Sequence, residues 1–328
     1  MKKKAGCESM DLGFWGNLKQ SFYECKRKIF PKTRKNASVS MKRGMTLFSY
    51  AVWALPIVYF LIFYVYLNFN SVLLAFKDIN NNLTLENFQI VIQEIVTSDG
   101  EILIALRNTS LFFILTLLLM PINIVMSYAL YKQVWGYKFF EVIFYLPSII
   151  GGVVWMTAYK NFIHPNGPLF TILLHLNVIQ EAPELLANTD SAIWAVLASS
   201  LWLGIPSSML VYLGTLARIP QDVMEAAELD GVGFAREVVN ITVPLIWPAI
   251  STNLLFTVIG FFSASGNVLL LTEGRYNTST LSYWLYDQVV VNGQYNVPAA
   301  MGILMTVATL PLVVICRWLS NKVETIEF

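Results

Sequence analysis

Residues 109–131 read TSLFFILTLLLMPINIVMSYALY, a run without one Asp, Glu, Lys or Arg. As a helix at 1.5 Å per residue it reaches roughly 34 Å, enough to cross about 30 Å of bilayer hydrocarbon. Five more stretches share this character: 46–67, 142–159, 192–216, 249–271 and 297–318. The single charge in any of them is Arg317, at the end of the last. The bulk composition agrees, with 56% hydrophobic and 13% charged residues among 328, where soluble domains average about 25% charged. The expectation is an all-α integral membrane protein with six spans. The third stretch is the shortest and carries Gly151–Gly152, a weak point in any straight helix.

Basic residues set the expected orientation. With the N-terminus cytoplasmic, inner segments hold 18 of the 22 Lys and Arg, leaving Lys77, Arg107, Lys160 and Arg275 outside. The positive-inside rule favours that arrangement, with both ends cytoplasmic and the chain in the cell membrane. Residues 1–45 supply 12 of the 18 and form a basic cytoplasmic segment ahead of a transmembrane domain at 46–328. Within it Phe14, Leu18, Phe22, Cys25 and Ile29 recur at helical spacing among Lys19, Lys26 and Lys28. That pattern suits an interfacial amphipathic helix, and equally a solvated basic tail that fixes topology. The first apolar run, beginning near Thr46, is too long for a cleavable signal peptide.

Several function classes lose support at this point. A net charge of +1 argues against nucleic-acid binding. Cys7, Cys25 and Cys316 are neither paired nor spaced as metal ligands, and His164 and His175 have no ligand pattern around them. No carboxylate or histidine lies in a span, which disfavours both an intramembrane enzyme and a proton-driven porter. An ATP-independent channel or sodium-coupled porter, with ion sites built from backbone carbonyls, stays open.

The outer loops are then 68–108, 160–191 and 272–296. The first has room for a short ordered segment around 85–95. The second holds the turn-forming run His164-Pro165-Asn166-Gly167-Pro168. In the third, Tyr276, Tyr283, Trp284 and Tyr286 suit contact with a partner or a sugar, or an interfacial aromatic belt.

The inner stretch at about 217–248 is the most informative. Pro220 suits a first helical turn, helix formers follow to Leu229, and Asp230-Gly231 makes a stop and turn. A second short helix is expected from Val232 until Pro244 ends it. Arg218 and Arg236 face Asp222, Glu225, Glu228, Asp230 and Glu237, so this elbow is net negative in an otherwise basic-inside chain. That charge favours a protein partner over an anionic membrane surface.

Glu225-Ala226-Ala227, then Gly231, Ile241 and Pro244 at their spacing resemble the Glu-Ala-Ala loop of permease subunits in binding-protein-dependent ABC importers. Val243 stands where a Leu is usual. Trp202, Gly204, Leu216 to Pro220, Leu271-Thr272 and Thr280-Leu281 resemble the carbohydrate-uptake branch, in particular the first of its paired permeases. Glu273-Gly274-Arg275-Tyr276 departs from that branch's glycine-rich stretch. The resemblance implies a type I importer permease fold and a coupling helix docked on a cytoplasmic ATPase. Glu225 and Asp230 would then supply polar contacts, Ala226 and Ala227 packing, and Gly231 the angle, with Ile241 and Pro244 completing the motif. It also implies a second permease, two ATPase subunits that bind ATP and Mg, and an extracytoplasmic solute-binding protein. This sequence has no phosphate-binding loop of its own.

Spans without charge, apart from Arg317 at the end of the last, suit a neutral, hydroxyl-rich solute, held by aromatic faces and by Ser and Asn side chains. Trp155, Tyr159, Ser200, Trp202, Ser263 and Asn267 are the pathway candidates on those grounds. Each equally suits interhelical packing.

Overall fold

The computed structural model describes residues 34–78, 80–97, 100–263 and 266–322. The amphipathic pattern at 14–29 lies outside them. The chain divides into two units, one ending at Asn70 and one beginning at Ser71.

The first unit holds α1 (Arg34–Tyr59), which runs through the residue-45 border and continues as π turns over Phe60–Tyr66. Pro56 sits inside α1, and the wide turns over Phe60–Tyr66 follow it. Rings spaced i, i+4 stack there, Tyr59 on Phe63 at 4.7 Å and Phe60 on Tyr64 at 5.0 Å. The helix goes on through Leu67–Ala75, and the whole of Phe48–Ala75 is long and apolar enough to span a bilayer.

The second unit contains α2 (Glu86–Val96), α3 (Glu101–Tyr131), α4 (Tyr137–Ile149), α5 (Gly152–Phe162), α6 (Pro168–His175) and α7 (Ala192–Leu216). There follow α8 (Gln221–Leu229), α9 (Phe234–Glu237), α10 (Trp247–Ile259), α11 (Gly266–Leu271), α12 (Leu281–Tyr286) and α13 (Asn296–Ser320). The ordered segment expected around 85–95 is α2. The dominant packing is α3 against α7, with α10 on α13, α2 on α13, and α5 and α11 against each other.

Among the described residues three helices span a membrane by length and composition, and six do if each bent pair counts once. The bends fall where the sequence is locally weak. The third span is broken into Tyr137–Pro147 and Gly152–Phe162 at 103°, with Pro147 on one side and the extended residues Ile150 and Gly151 in the gap. The stretch expected as one span over 249–271 is not continuous. α10 stops at Gly260, a 3-10 turn follows at Phe261–Ser263, and α11 is a separate short helix. The partner of α10 across a 77° bend is the preceding segment Phe234–Leu245.

The N-terminal end of α3 organises the loop after α11. Asn108 Nδ2 donates to the carbonyls of Asn277 at 2.7 Å and Ser279 at 2.8 Å, while Thr109 Oγ1 accepts from Leu281 N at 3.0 Å. Buried Thr272 and Thr278 share a hydroxyl contact of 2.6 Å. Thr280 caps α12, so Thr272 and Thr280 serve this loop's own architecture. Glu273, Tyr276 and Asn277 all have positive φ. Gly274 also lies at φ +69°, and a Cβ there would come within 2.2 Å of the Tyr283 ring. The turn therefore requires glycine at 274 for two separate reasons.

Candidate functional site

The elbow between α7 and α10 has a defined shape. Pro220, in extended conformation (ψ 135°), precedes α8 as its N-cap residue. α8 ends in a Schellman closure: Val232 N donates to the Ala227 carbonyl at 3.2 Å and Gly231 N to the Glu228 carbonyl at 3.1 Å. Gly231 takes the left-handed conformation this closure needs, at φ +67°. No atom lies within 4 Å of a Cβ added there, so the backbone alone selects glycine.

The second limb departs from the expected helix ended by Pro244. It starts at Phe234, widens into π turns over Val238–Thr242 and runs through Pro244 to Leu245. The wide turns lie just ahead of the proline and relieve the clash its ring would make in a regular helix. The break falls instead at Ile246 (φ −95°, ψ 8°), after which Pro248 opens α10.

The elbow is seated on the span ends by one apolar cluster. It joins Ile124 and Tyr128 of α3, Tyr212 and Leu216 of α7, Met224 of α8, Val238 of the second limb and Ile250 of α10. Ile241 packs against its edge, and Pro244 is half-buried. Glu225, Ala226 and Asp230 are exposed, whereas Ala227 is 5% exposed and faces the chain's own core. Of the alanine pair only Ala226 is open to another protein. Asp222, Glu228 and Leu229 are exposed beside it, giving an acidic helix face on which Ala226 and Leu229 are the apolar side chains.

Glu237 does not belong to that face. It is 5% exposed and points inward, 2.9 Å from the Lys132 ammonium one residue past α3. The sequence shows five acids in the elbow, and the fold withdraws one of them into an internal ion pair.

Toward the middle of the spans the polar groups are all neutral. Asn253 of α10 donates to Tyr212 OH at 2.8 Å and Ser208 Oγ at 3.2 Å on α7. Asn267 of α11 donates to Ser199 Oγ at 3.1 Å and Ser200 Oγ at 2.8 Å. Asn123 of α3 reaches the Gly204 carbonyl at 3.4 Å, and its Oδ1 is buried without a hydrogen-bond partner. Asn123, Ser200, Ser208, Asn253 and Thr257 line an enclosed cavity of ≈ 50 Å³ between α3, α7 and α10. On the other side of Ser199, Trp155, Tyr159 and Phe162 form an open apolar groove of ≈ 480 Å³. Asn267 thus bridges the hydroxyls of groove and cavity.

The structure brings together Trp155, Tyr159, Ser200 and Asn267. Tyr159 OH donates to the Ala195 carbonyl at 2.8 Å, tying the groove wall to α7. Ser263 is exposed in the 3-10 turn, apart from this group. The Trp202 side chain is outside the described residues. Sequence reasoning passed over Asn123, Tyr212 and Asn253. An amide in an apolar run is a visible signal, but only the fold shows which amides share a cavity.

The description "binding-protein-dependent transport system inner membrane component" fits residues 103–325, and the chain belongs to that family. It is 33% identical over 153 residues to a probable ABC transporter permease of Bacillus subtilis, a match covering 46% of this chain and 49% of that one. It is 25% identical to the multiple sugar-binding transport system permease MsmF of Streptococcus mutans, over 70% of this chain and 80% of the relative. To the sn-glycerol-3-phosphate transport system permease UgpA of Agrobacterium fabrum it is 28% identical, over 73% and 80%. The chain therefore spans about half of the first relative and four fifths of the other two. Its fold is shared with a chain of a bacterial ABC transporter involved in import of the acidic polysaccharide alginate. The TM-score there is 0.75 at 22% identity, over 88% of this chain and all of that one.

Proposed function

We propose that this chain forms, with a partner permease, the membrane pathway of an ATP-driven importer for a neutral sugar or oligosaccharide. The observation that carries this reading is the exposed acidic helix α8, set on a rigid glycine turn and seated on the ends of α3, α7 and α10. A surface of that kind suits docking in a cleft of a cytoplasmic ATPase. Two such ATPase subunits bind ATP and Mg, and their closure drives the elbow as a lever. The spans then rock between outward-open and inward-open arrangements. Both chain ends lie in the cytoplasm, and an extracytoplasmic binding protein delivers the solute to the outer face.

The carbohydrate assignment draws support from the sugar and glycerol-phosphate permeases among the relatives. The neutral character draws support from the uncharged polar layer of Asn, Ser and Thr around the inner cavity. Reconstitution in vesicles with the partner subunits and binding protein tests the reading. Neutral oligosaccharides are expected to enter only with ATP, and an acidic oligosaccharide to enter poorly. Uptake that persists without ATP would refute the importer assignment. Preferential uptake of the acidic oligosaccharide would refute the neutral-substrate part alone.

A further inference from the structure

We infer that Lys132 and Glu237 are positioning residues for transport: the ion pair between half-buried Lys132 and buried Glu237 clamps the elbow to α3, giving elbow motion a second route into the membrane. This inference rests on the coupling role proposed above. The elbow is joined covalently only to α7 and α10. α3 lies about a hundred positions away in sequence, yet its last turn grips the second limb at several points. The Lys132 ammonium sits 2.9 Å from Glu237 Oε1. The Tyr128 ring packs on Phe234 with centroids 5.1 Å apart. Ile124 and Tyr128 share the apolar cluster with Val238.

The grip is built with care for position. α3 ends at this point because Gln133 adopts φ +51°, with Val134 N donating to the Ala129 carbonyl at 3.2 Å. That closure holds Lys132 at the helix terminus, where a cation is favoured. Glu237 is 5% exposed, so a displaced carboxylate meets little water, and it follows the ammonium when either moves.

The same helix carries the polar layer. Ser127 and Asn123 lie about one and a half and two and a half turns from Lys132 along α3, bonded to the Met209 and Gly204 carbonyls of α7 at 3.4 Å each. A pull on Glu237 therefore reaches the cavity wall through α3 as a rigid element, in parallel with the covalent route through α7. An exposed charge contact elsewhere in the molecule, Glu273 with Arg275 at 3.5 Å, has both side chains more than half exposed and offers no such hold.

The test uses the reconstituted importer, with solute uptake and ATP hydrolysis read on the same vesicles. Wild type must first show ATP-dependent uptake; if it shows none, the importer reading falls, and this inference with it. Given that coupling, Glu237→Gln and Lys132→Met are each expected to lower solute moved per ATP by about tenfold. ATP hydrolysis per assembled complex should stay near wild type. The reversed pair, Lys132→Glu with Glu237→Lys, should regain most of the lost ratio. Glu237→Asp keeps the charge with a shorter reach, and should give an intermediate ratio even where a neutral variant assembles poorly. A wild-type ratio in Glu237→Asp and in whichever neutral variants assemble would overturn the clamp. So would parallel loss of hydrolysis and uptake that the reversed pair does not restore, since a merely structural contact behaves that way.

Discussion

The elbow and the mid-span layer solve the burial of polar groups in opposite ways. At the elbow a full charge is buried, Glu237, and it is neutralised by Lys132 at 2.9 Å. In the layer around Asn123, Asn253 and Asn267 the polar groups are amides and hydroxyls; the amide NH2 groups donate to hydroxyls or backbone carbonyls, with Asn123 Oδ1 left unpartnered. A charge pair is costly to bury, and costlier still to split once buried. Neutral hydrogen bonds between membrane helices are worth far less each and exchange readily. The contrast assigns rigidity to the elbow and adaptability to the layer, as a lever and a pathway would each require.

Gly231→Pro is the strongest way to break the elbow side of this comparison. Proline cannot adopt φ +67° and removes the N–H that closes on Glu228. ATP-dependent uptake at equal expression is expected to vanish, with Glu225→Lys giving a similar loss by reversing charge on the exposed face. Gly231→Ala, which meets open space, should retain most uptake at a strain cost of about 1–2 kcal/mol. Full uptake by the proline variant would remove the elbow from the mechanism.

Stability measurements sharpen the contrast further. Lys132→Met leaves a buried carboxylate alone and is expected to cost about 3–5 kcal/mol in denaturation of the solubilised chain. Arg275→Met breaks an exposed pair and should cost no more than about 1 kcal/mol. Asn253→Leu in the neutral layer should fall between these, near 0.6–1.7 kcal/mol. If Asn253→Leu proved more damaging than Lys132→Met, the assignment of rigidity would be reversed.

The smallest expected effect is in α2. Burial, and then the neighbouring Glu101 charge, raise the Glu94 carboxyl above its ordinary value of 4.5. The proton is thus held more tightly in the folded state than in the unfolded chain. The resulting stabilisation is complete below the ordinary carboxylate range and is lost as pH rises through the raised value. Glu94→Gln should flatten the stability profile in that window and leave it unchanged at higher acidity, as read by denaturation against pH.

Much of the fold could be read from the chain because bilayer thickness turns apolar length into a direct signal. The runs at 109–131 and 192–216 became α3 and α7, and the Asp230-Gly231 turn was visible from residue chemistry alone. The breaks were harder. Gly260 splits 249–271, but a lone glycine in an apolar run looks the same whether it ends a helix or packs within one. Pro244 misled in the other direction, since π turns over Val238–Thr242 let the helix pass through it. Side-chain direction was beyond reach: Ala226 and Ala227 are neighbours in the motif, yet one is exposed and the other buried. The Lys132–Glu237 pair joins residues too far apart for any periodicity to connect.

The most direct test of the central claim is gentle solubilisation of the native membrane, isolation of this chain, and mass spectrometry of its companions. The account predicts an ATPase with a phosphate-binding loop and a second permease, with ATPase recovery sharply reduced in the Glu225→Lys chain. Isolation of the chain alone, or only with copies of itself, at every detergent strength that keeps it folded would contradict the coupling mechanism.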